Sequence, residues 1–389
     1  MSVRAISRKS ESVRRGRRVV VAATALLMGA LSSAVELANA AVTVPTQPYL
    51  MAFHTCAPGA TDCNNPSNHI VQLGQSADGV TWSLVGGWQS YKGSVPDVFR
   101  RGDTLYVIST SGLMRVDMKT GATTTATVSL NSGTFVDPSL AQLPDGRLIL
   151  FFLPGIMGQD PAGCAPGEAS CVRQIKSAVE VAGSNGTQFV VDDGARISET
   201  ITSGSFSDPD IFYNGTEWVL YVSRGPSVHA YTSASLQGSY VFKAVVSNNT
   251  GGVPAGLRMP DGTIATYVHT SVGGSTEIRR ATSATGTSPI ASFQTSLSGQ
   301  SLGLGTHAES PGIAVNTAGI ECSACATSTA TTTTAPTATA PTATTTSTAP
   351  ASSTARLGAS CTRAGATATV GKTRLICKKS GNKTVWVKR

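Results

Sequence analysis

Apolar residues in the middle of the chain fall in short runs rich in β-branched and aromatic side chains, each introduced by a polar turn. Thr104–Ser109 follows Gly102-Asp103, Arg147–Phe152 follows Asp145-Gly146, Glu217–Ser223 follows Asn214-Gly215, and Thr263–His269 follows Pro260-Asp261-Gly262. Tyr49–Thr55, His69–Gln75, Trp82–Val85 and Gly112–Asp117 have the same character. Long stretches with apolar positions at three-to-four spacing are nearly missing, so the pattern predicts strands and almost no helix.

A recurring phrase precedes these runs. It reads Val95-Pro96-Asp97-Val98-Phe99, then Val136-Asp137-Pro138-Ser139-Leu140, then Ser207-Asp208-Pro209-Asp210-Ile211-Phe212. A looser copy is Val253-Pro254-Ala255-Gly256, and a fifth begins at Glu309-Ser310-Pro311-Gly312. Repetition at about 40 to 70 residues is the signature of propeller blades. The expected fold is therefore all-β, a five-bladed β-propeller over residues 41–325. In it the recurring Asp lies just before the first strand of each blade, near one rim of the channel. Blades one to four start at Val95, Phe135, Phe206 and Val253. The fifth has only Glu309–Val315 before the sequence changes character, and the N-terminal strands in 49–85 supply the rest. Closure by strands from both ends removes the free sheet edges.

The ends differ in composition. Residues 1–40 carry seven positive charges, an apolar run Val19–Leu31 and a small-residue cleavage site at Ala38-Asn39-Ala40. This predicts a secretory signal peptide, hence a secreted or cell-surface protein with no membrane span after cleavage. Residues 326–355 are almost all Thr, Ala, Pro and Ser and predict a disordered linker. Residues 356–389 form a small basic module with nine positive and no negative charges. The net charge of +8 thus belongs to the ends, since the remainder has 14 positive against 20 negative groups. That balance argues against a nucleic-acid partner for the propeller. The module's charge suits contact with an anionic cell envelope. Eight cysteines in an exported chain predict disulfides, pairing Cys56 with Cys63, Cys164 with Cys171, Cys322 with Cys325 and Cys361 with Cys377.

The phrases Val136-Asp137-Pro138-Ser139-Leu140 with Leu143-Pro144-Asp145-Gly146, and Ser207-Asp208-Pro209 with Trp218-Val219-Leu220-Tyr221, resemble the arabinanase and β-xylosidase type of five-bladed glycoside hydrolase (family 43-like). The resemblance covers about residues 45–320. It implies a general base at Asp97 and an orienting, pKa-tuning carboxylate at Asp137. Where the family has a Glu-Gly-Pro acid in blade three, this chain has Asp208-Pro209-Asp210 instead. His307-Ala308-Glu309-Ser310-Pro311 resembles the missing phrase but sits in blade five, where ring geometry places Glu309 next to Asp97 and across from Asp137 and Asp208. Ser76-Ala77-Asp78-Gly79-Val80-Thr81-Trp82 resembles the Asp box of sialidases, and its Asp is expected to hold a turn. The C-terminal module resembles one found at the ends of exported actinobacterial proteins.

Glycosidic cleavage needs one carboxylic acid and one carboxylate. Asp97, Asp137, Asp208 and Glu309 are the candidates. Arg224, His229, His54, His307, Trp88 and Tyr91 are candidate contacts for a carbohydrate. An Asp beside Pro in every blade can also serve the turn alone. No cofactor is implied, and Ca²⁺ in the central channel is compatible with these oxygens. A monomer is expected. The alternative functions are a non-catalytic glycan- or protein-binding cell-surface propeller and a sialidase.

Overall fold

The computed structural model describes residues 38–39, 41–156, 163–166 and 168–318, together with three strands between 367 and 388. The chain divides into two units, Met1–Ala330 and Thr331–Arg389. The signal segment apart from Ala38–Asn39, the Thr/Ala/Pro linker, and Cys322, Cys325 and Cys361 lie outside the described residues.

The first unit is a five-bladed propeller. Blade one pairs Asp97–Arg101, Thr104–Ser109, Gly112–Asp117 and Thr123–Ala126 in order from the centre outward, with Ala38–Asn39 on the outer edge. Blade two runs Phe135–Gln142, Leu148–Pro154, Cys171–Glu180 and Gln188–Val191, with Ser129–Leu130 added in parallel outside. Blade three is Ser207–Tyr213, Trp218–Arg224, Ser227–Ser233 and Val241–Ser247, and blade four is Gly252–Arg258, Ile264–Val272, Ser275–Ser283 and Gln294–Ser298. Blade five takes its innermost strand, Glu309–Val315, from the end of the propeller and its outer strands, Tyr49–Cys56, His69–Ser76 and Ser83–Leu84, from the beginning.

The proline phrases turn out to be the innermost strands themselves. The apolar run after each turn is the second strand, so Asp137 and Asp208 lie inside a strand and Asp97 opens one, where the expectation placed each just before. Those second strands are apolar at nearly every position because each sheet is covered on both faces. Leu148, Leu150 and Phe152 pack toward blade one with Phe99 and Tyr106, while Ile149, Phe151 and Leu153 pack toward blade three with Trp218 and Leu220. The period-two geometry of a strand splits one continuous apolar run between two cores. Five such cores fill the five gaps between neighbouring blades.

The turns follow their sequence. Gly102, Gly146, Gly215 and Gly262 take positive φ, and the side chains of Asp145, Asn214 and Asp261 accept backbone N–H bonds from the residues just beyond. At Asp78, Oδ1 accepts from the N–H groups of Val80 and Thr81, both at 2.8 Å, and Trp82 is buried against Tyr267. Those bonds hold the Asp78 carboxyl below the usual range. The disulfides Cys56–Cys63 and Cys164–Cys171 close their loops as expected.

The second unit contains a three-stranded antiparallel sheet, Thr367–Val370, Thr373–Ser380 and Lys383–Lys388, burying Leu375, Cys377 and Trp386. Cys377 is disulfide-bonded. No helix among the described residues is long and apolar enough to cross a membrane.

Candidate functional site at the proline rim

All five inner strands share one backbone device. Val95, Asp137, Asp208, Val253 and Ser310 each precede a proline and each has a φ between 46° and 54°. A β-carbon makes this left-handed conformation unfavourable, and the following proline restricts its neighbour further. Strain of about 1–3 kcal/mol at each position is typical of such geometry. The pairing register slips at the dipeptide in blades two, three, four and five. These slips are β-bulges, which bend the strand and re-aim the side chain. The freed N–H of the strained residue is caught by the preceding blade. Val95 donates to His54 Nδ1 (3.4 Å), Asp208 to Asp137 Oδ2 (3.3 Å), Val253 to Ser223 Oγ (3.2 Å) and Ser310 to His269 Nδ1 (3.3 Å).

Aligned on proline, the carboxylates separate into two sets. Asp137 and Asp208 stand immediately before it, but Asp97 and Asp210 stand immediately after it. The position after proline has its own task. Asp97 Oδ2 accepts the Leu140 N–H of blade two (2.6 Å), Ser139 Oγ accepts the Ile211 N–H of blade three (3.2 Å), and Asp210 Oδ2 accepts the Gly256 N–H of blade four (2.8 Å). Asp97 is therefore a blade-to-blade tie and is not the counterpart of Asp137. Burial pushes its carboxyl up to about 7 against the opposing hydrogen bonds from Leu140, Val98 and Ser139.

Asp137 and Asp208 occupy the same position in adjacent blades. Burial, then the neighbouring Asp208 charge, raises Asp137 well above the ordinary carboxylate range. Asp208, which keeps an edge in solvent, is raised by burial to about 6 although Ser207 Oγ donates to it at 2.7 Å. The two titrate as a pair.

Glu309 lies on blade five, which adjoins blades one and four and stands opposite blades two and three. Burial would raise it, but donors outweigh burial and hold it below the usual range. Thr276 Oγ1 donates to Oε1 at 2.7 Å, and His307 Nδ1 lies 3.1 Å from the same oxygen. His54 Nε2 lies 3.5 Å from Oε2, within ion-pair reach but too long for a hydrogen bond. Because His54 Nδ1 accepts from Val95, the proton of its neutral form sits on Nε2 and faces Glu309. Burial lowers His54 to about 4 and also lowers His269, so both are neutral near pH 7. His54 stacks on His69 at 3.9 Å. Sequence reading missed His69, His269 and Thr276. His269 was findable, because it holds in blade four the place His54 holds in blade five.

Glu309 and Asp97 lie on adjoining blades but share no partner among the described contacts. Of the remaining candidates, Arg224 donates to the Ser205 carbonyl at 2.8 Å, and its guanidinium lies over Phe206. His229 is on the third strand of blade three beside Phe242, away from the inner strands. Trp88 and Tyr91 are both partly buried. They wedge against the core between blades five and one, with Trp88 Nε1 bonded to the Val71 carbonyl and Tyr91 Oη to that of Val107. Arg100 binds Asn316 and Arg279 pairs with Glu277. Among the described residues the only grouping with metal-like ligand spacing is Cys164, Glu168 and Cys171, whose cysteines are joined to each other.

No protein-family model matches the sequence, and no curated protein matches it. Solved structures of similar shape include a GH43_1 enzyme from Xanthomonas citri complexed with xylose, at 15% identity, covering 66% of this chain and 90% of that one with a TM-score of 0.42. An endo-arabinase from Bacteroides thetaiotaomicron aligns at 14% identity over 68% of this chain and 97% of its own, with a TM-score of 0.43. An exo-beta-1,3-galactanase from Phanerochaete chrysosporium aligns at 9% identity over 53% and 51%, with a TM-score of 0.40. The structural neighbours are thus arabinanase- and xylosidase-type enzymes at low identity, and the five-bladed fold itself is established by the strand pairing of this chain.

Proposed function

We propose that this is an exported glycoside hydrolase that cleaves a plant or microbial polysaccharide or oligosaccharide by carboxylate acid–base chemistry. The observation that supports it best is the split in acidity across one rim. Asp137 and Asp208 are pushed toward the protonated form, and Glu309 is held ionised by the groups around it. Carboxyl groups whose environments drive their acidities apart are suited to opposite halves of an acid–base reaction. In this reading Asp208, the more accessible of its pair, donates the proton to the leaving oxygen, and Asp137 keeps that proton in place. Glu309 is the carboxylate that activates water or meets the anomeric carbon. His54 and His307 orient Glu309. The basic C-terminal module holds the enzyme near an anionic envelope.

The test is hydrolysis by the full chain on arabinan, xylan, fructan and sialyl substrates, beside Glu309→Gln and Asp208→Asn. Turnover that both substitutions abolish, with folding intact, supports the assignment. No turnover on any substrate, with glycan binding retained, gives the second reading, a glycan-binding propeller. That reading is favoured by one observation, that Glu309 Oε1 is already engaged by Thr276 and His307.

A further inference from the structure

Blade two departs from its neighbours in its third strand. Cys171–Glu180 is ten residues long, and its two halves have different partners. Ala178–Glu180 pairs with the fourth strand, whereas Cys171–Ile175 pairs with a separate strand, Ile197–Ile201. The upper half therefore stands above the blade as a hairpin of its own. It is pinned three ways. One face, from Ile175 and Ile197 at its foot to Ile201 opposite Cys171, is buried in the core shared with blade three. Its tip is joined by the Cys164–Cys171 disulfide, with Arg173 Nε donating to the Gly163 carbonyl at 3.0 Å. Its side is tied to blade three by the bond from Tyr231 Oη to Glu199.

Between this hairpin and the blade is a cavity of about 360 Å³ lined by Leu153, Pro154, Val172, Arg173 and Gln174. Its size is at the small end for a ligand site, which is about 300–1,000 Å³. Leu153 and Pro154 are the cross-strand partners of Val136 and Phe135, the two residues that lead into Asp137. The cavity thus opens beside the strained rim. Its lining offers an apolar wall together with hydrogen-bonding groups to spare. Arg173 has five N–H donors and spends three, on Gly163 and Val172. Gln174 Nε2 reaches Ser198 Oγ at 3.5 Å, which leaves its side-chain carbonyl available. Among the described residues no carboxylate forms an ion pair with Arg173.

We propose that this cavity is a substrate subsite that seats one sugar ring beside Asp137, with Val172 and Pro154 against the C–H face of the ring and Arg173 and Gln174 on its hydroxyls. The proposal rests on the glycan-active reading above. The hairpin gives the substrate a fixed wall, and the subsite sets the length of chain that is bound best. Val172 is 55% exposed, so Val172→Trp fills the space without disturbing a core. Val190, 47% exposed on the fourth strand of the same blade, gives the control Val190→Trp.

The experiment measures kcat and KM on graded arabino- and xylo-oligosaccharides, and binding of the same ladder to full-length Glu309→Gln by calorimetry. Val172→Trp and Arg173→Gln are expected to erase the gain from one added sugar unit, about tenfold and expressed in KM more than in kcat. Val190→Trp is expected to leave that gain intact. Hydrolysis whose chain-length dependence is the same in all variants overturns the subsite and leaves the hydrolase standing. Absence of hydrolysis with Val172-dependent binding does the reverse. No binding of either ladder overturns the subsite outright.

Discussion

The two sides of the proline rim use one backbone device to opposite chemical ends. In blades two and three the strained residue is itself an aspartate, and its neighbour in the ring is another, so two negative groups meet within a buried wall. In blades four and five the strained residue is Val253 or Ser310, and the acid, Glu309, stands one place earlier among a threonine and histidines. The fold therefore dictates where a side chain points but not whether it holds its proton. That depends on whether the next blade presents a second carboxylate or a donor.

Substitution at the acids should produce the largest effects. Glu309→Gln and Asp208→Asn each remove one half of the proposed exchange, and losses of about 10²–10⁴ in kcat are expected from an acid or base of this type. Equal turnover in both variants and wild type would end the comparison as a statement about catalysis.

The pH profile sharpens it. Asp208 must be protonated to act, so activity is expected to fall as pH rises through about 6. Glu309 must be ionised, and its lowered pKa places the acid-side limb below the ordinary carboxylate range. A rate that climbs between about pH 5 and about pH 8 would contradict the assigned roles.

Asp97 gives a third contrast, between a carboxylate before the proline and one after it. Asp97→Asn retains an oxygen for the Leu140 N–H, and activity is expected to stay within a few-fold of wild type. Its pKa is higher in the folded state than in the unfolded one, so ionisation costs the native state. Stability of the wild type relative to Asp97→Asn should decline as pH rises through about 7, measurable by denaturant melts. Asp97→Ala leaves the buried N–H without an acceptor and should cost about 1–3 kcal/mol. A large loss of turnover in Asp97→Asn with unchanged stability would restore Asp97 as the base. The smallest effect is expected from Thr276→Val, which removes the 2.7 Å donor to Glu309 and should move the acid limb upward by about one pH unit or less.

Much of this molecule was legible in its sequence, and the misreadings have a common cause. The alternation of turns and apolar strands gave the blades, the leftover N-terminal strands gave the closure of blade five, and paired cysteines gave two loop staples. The catalytic register was harder. Val95-Pro96-Asp97 and Val136-Asp137-Pro138 look alike when aligned on Asp, yet they differ by two positions when aligned on Pro. In a bulged strand the proline fixes the backbone and hence the direction of every neighbour. Aligning on the residue with the stronger conformational constraint would have separated Asp97 from Asp137 at once. The donors around Glu309 were out of reach for another reason. Thr276 comes from the third strand of blade four and His54 from the far end of the chain, and only the assembled ring brings both to Glu309. For Trp88 and Tyr91, an aromatic that fills a gap between blades has the same sequence signature as one that faces a ligand.

The split ancestry of blade five also fixes a chronology. Tyr49–Cys56 is made early and Glu309–Val315 last, so the strand that shuts the ring is the one that carries Glu309. A chain interrupted anywhere before this strand has neither a closed barrel of blades nor its ionised carboxylate, and His54 waits without the group it faces. Closure of the ring and the placing of Glu309 thus arrive in one step.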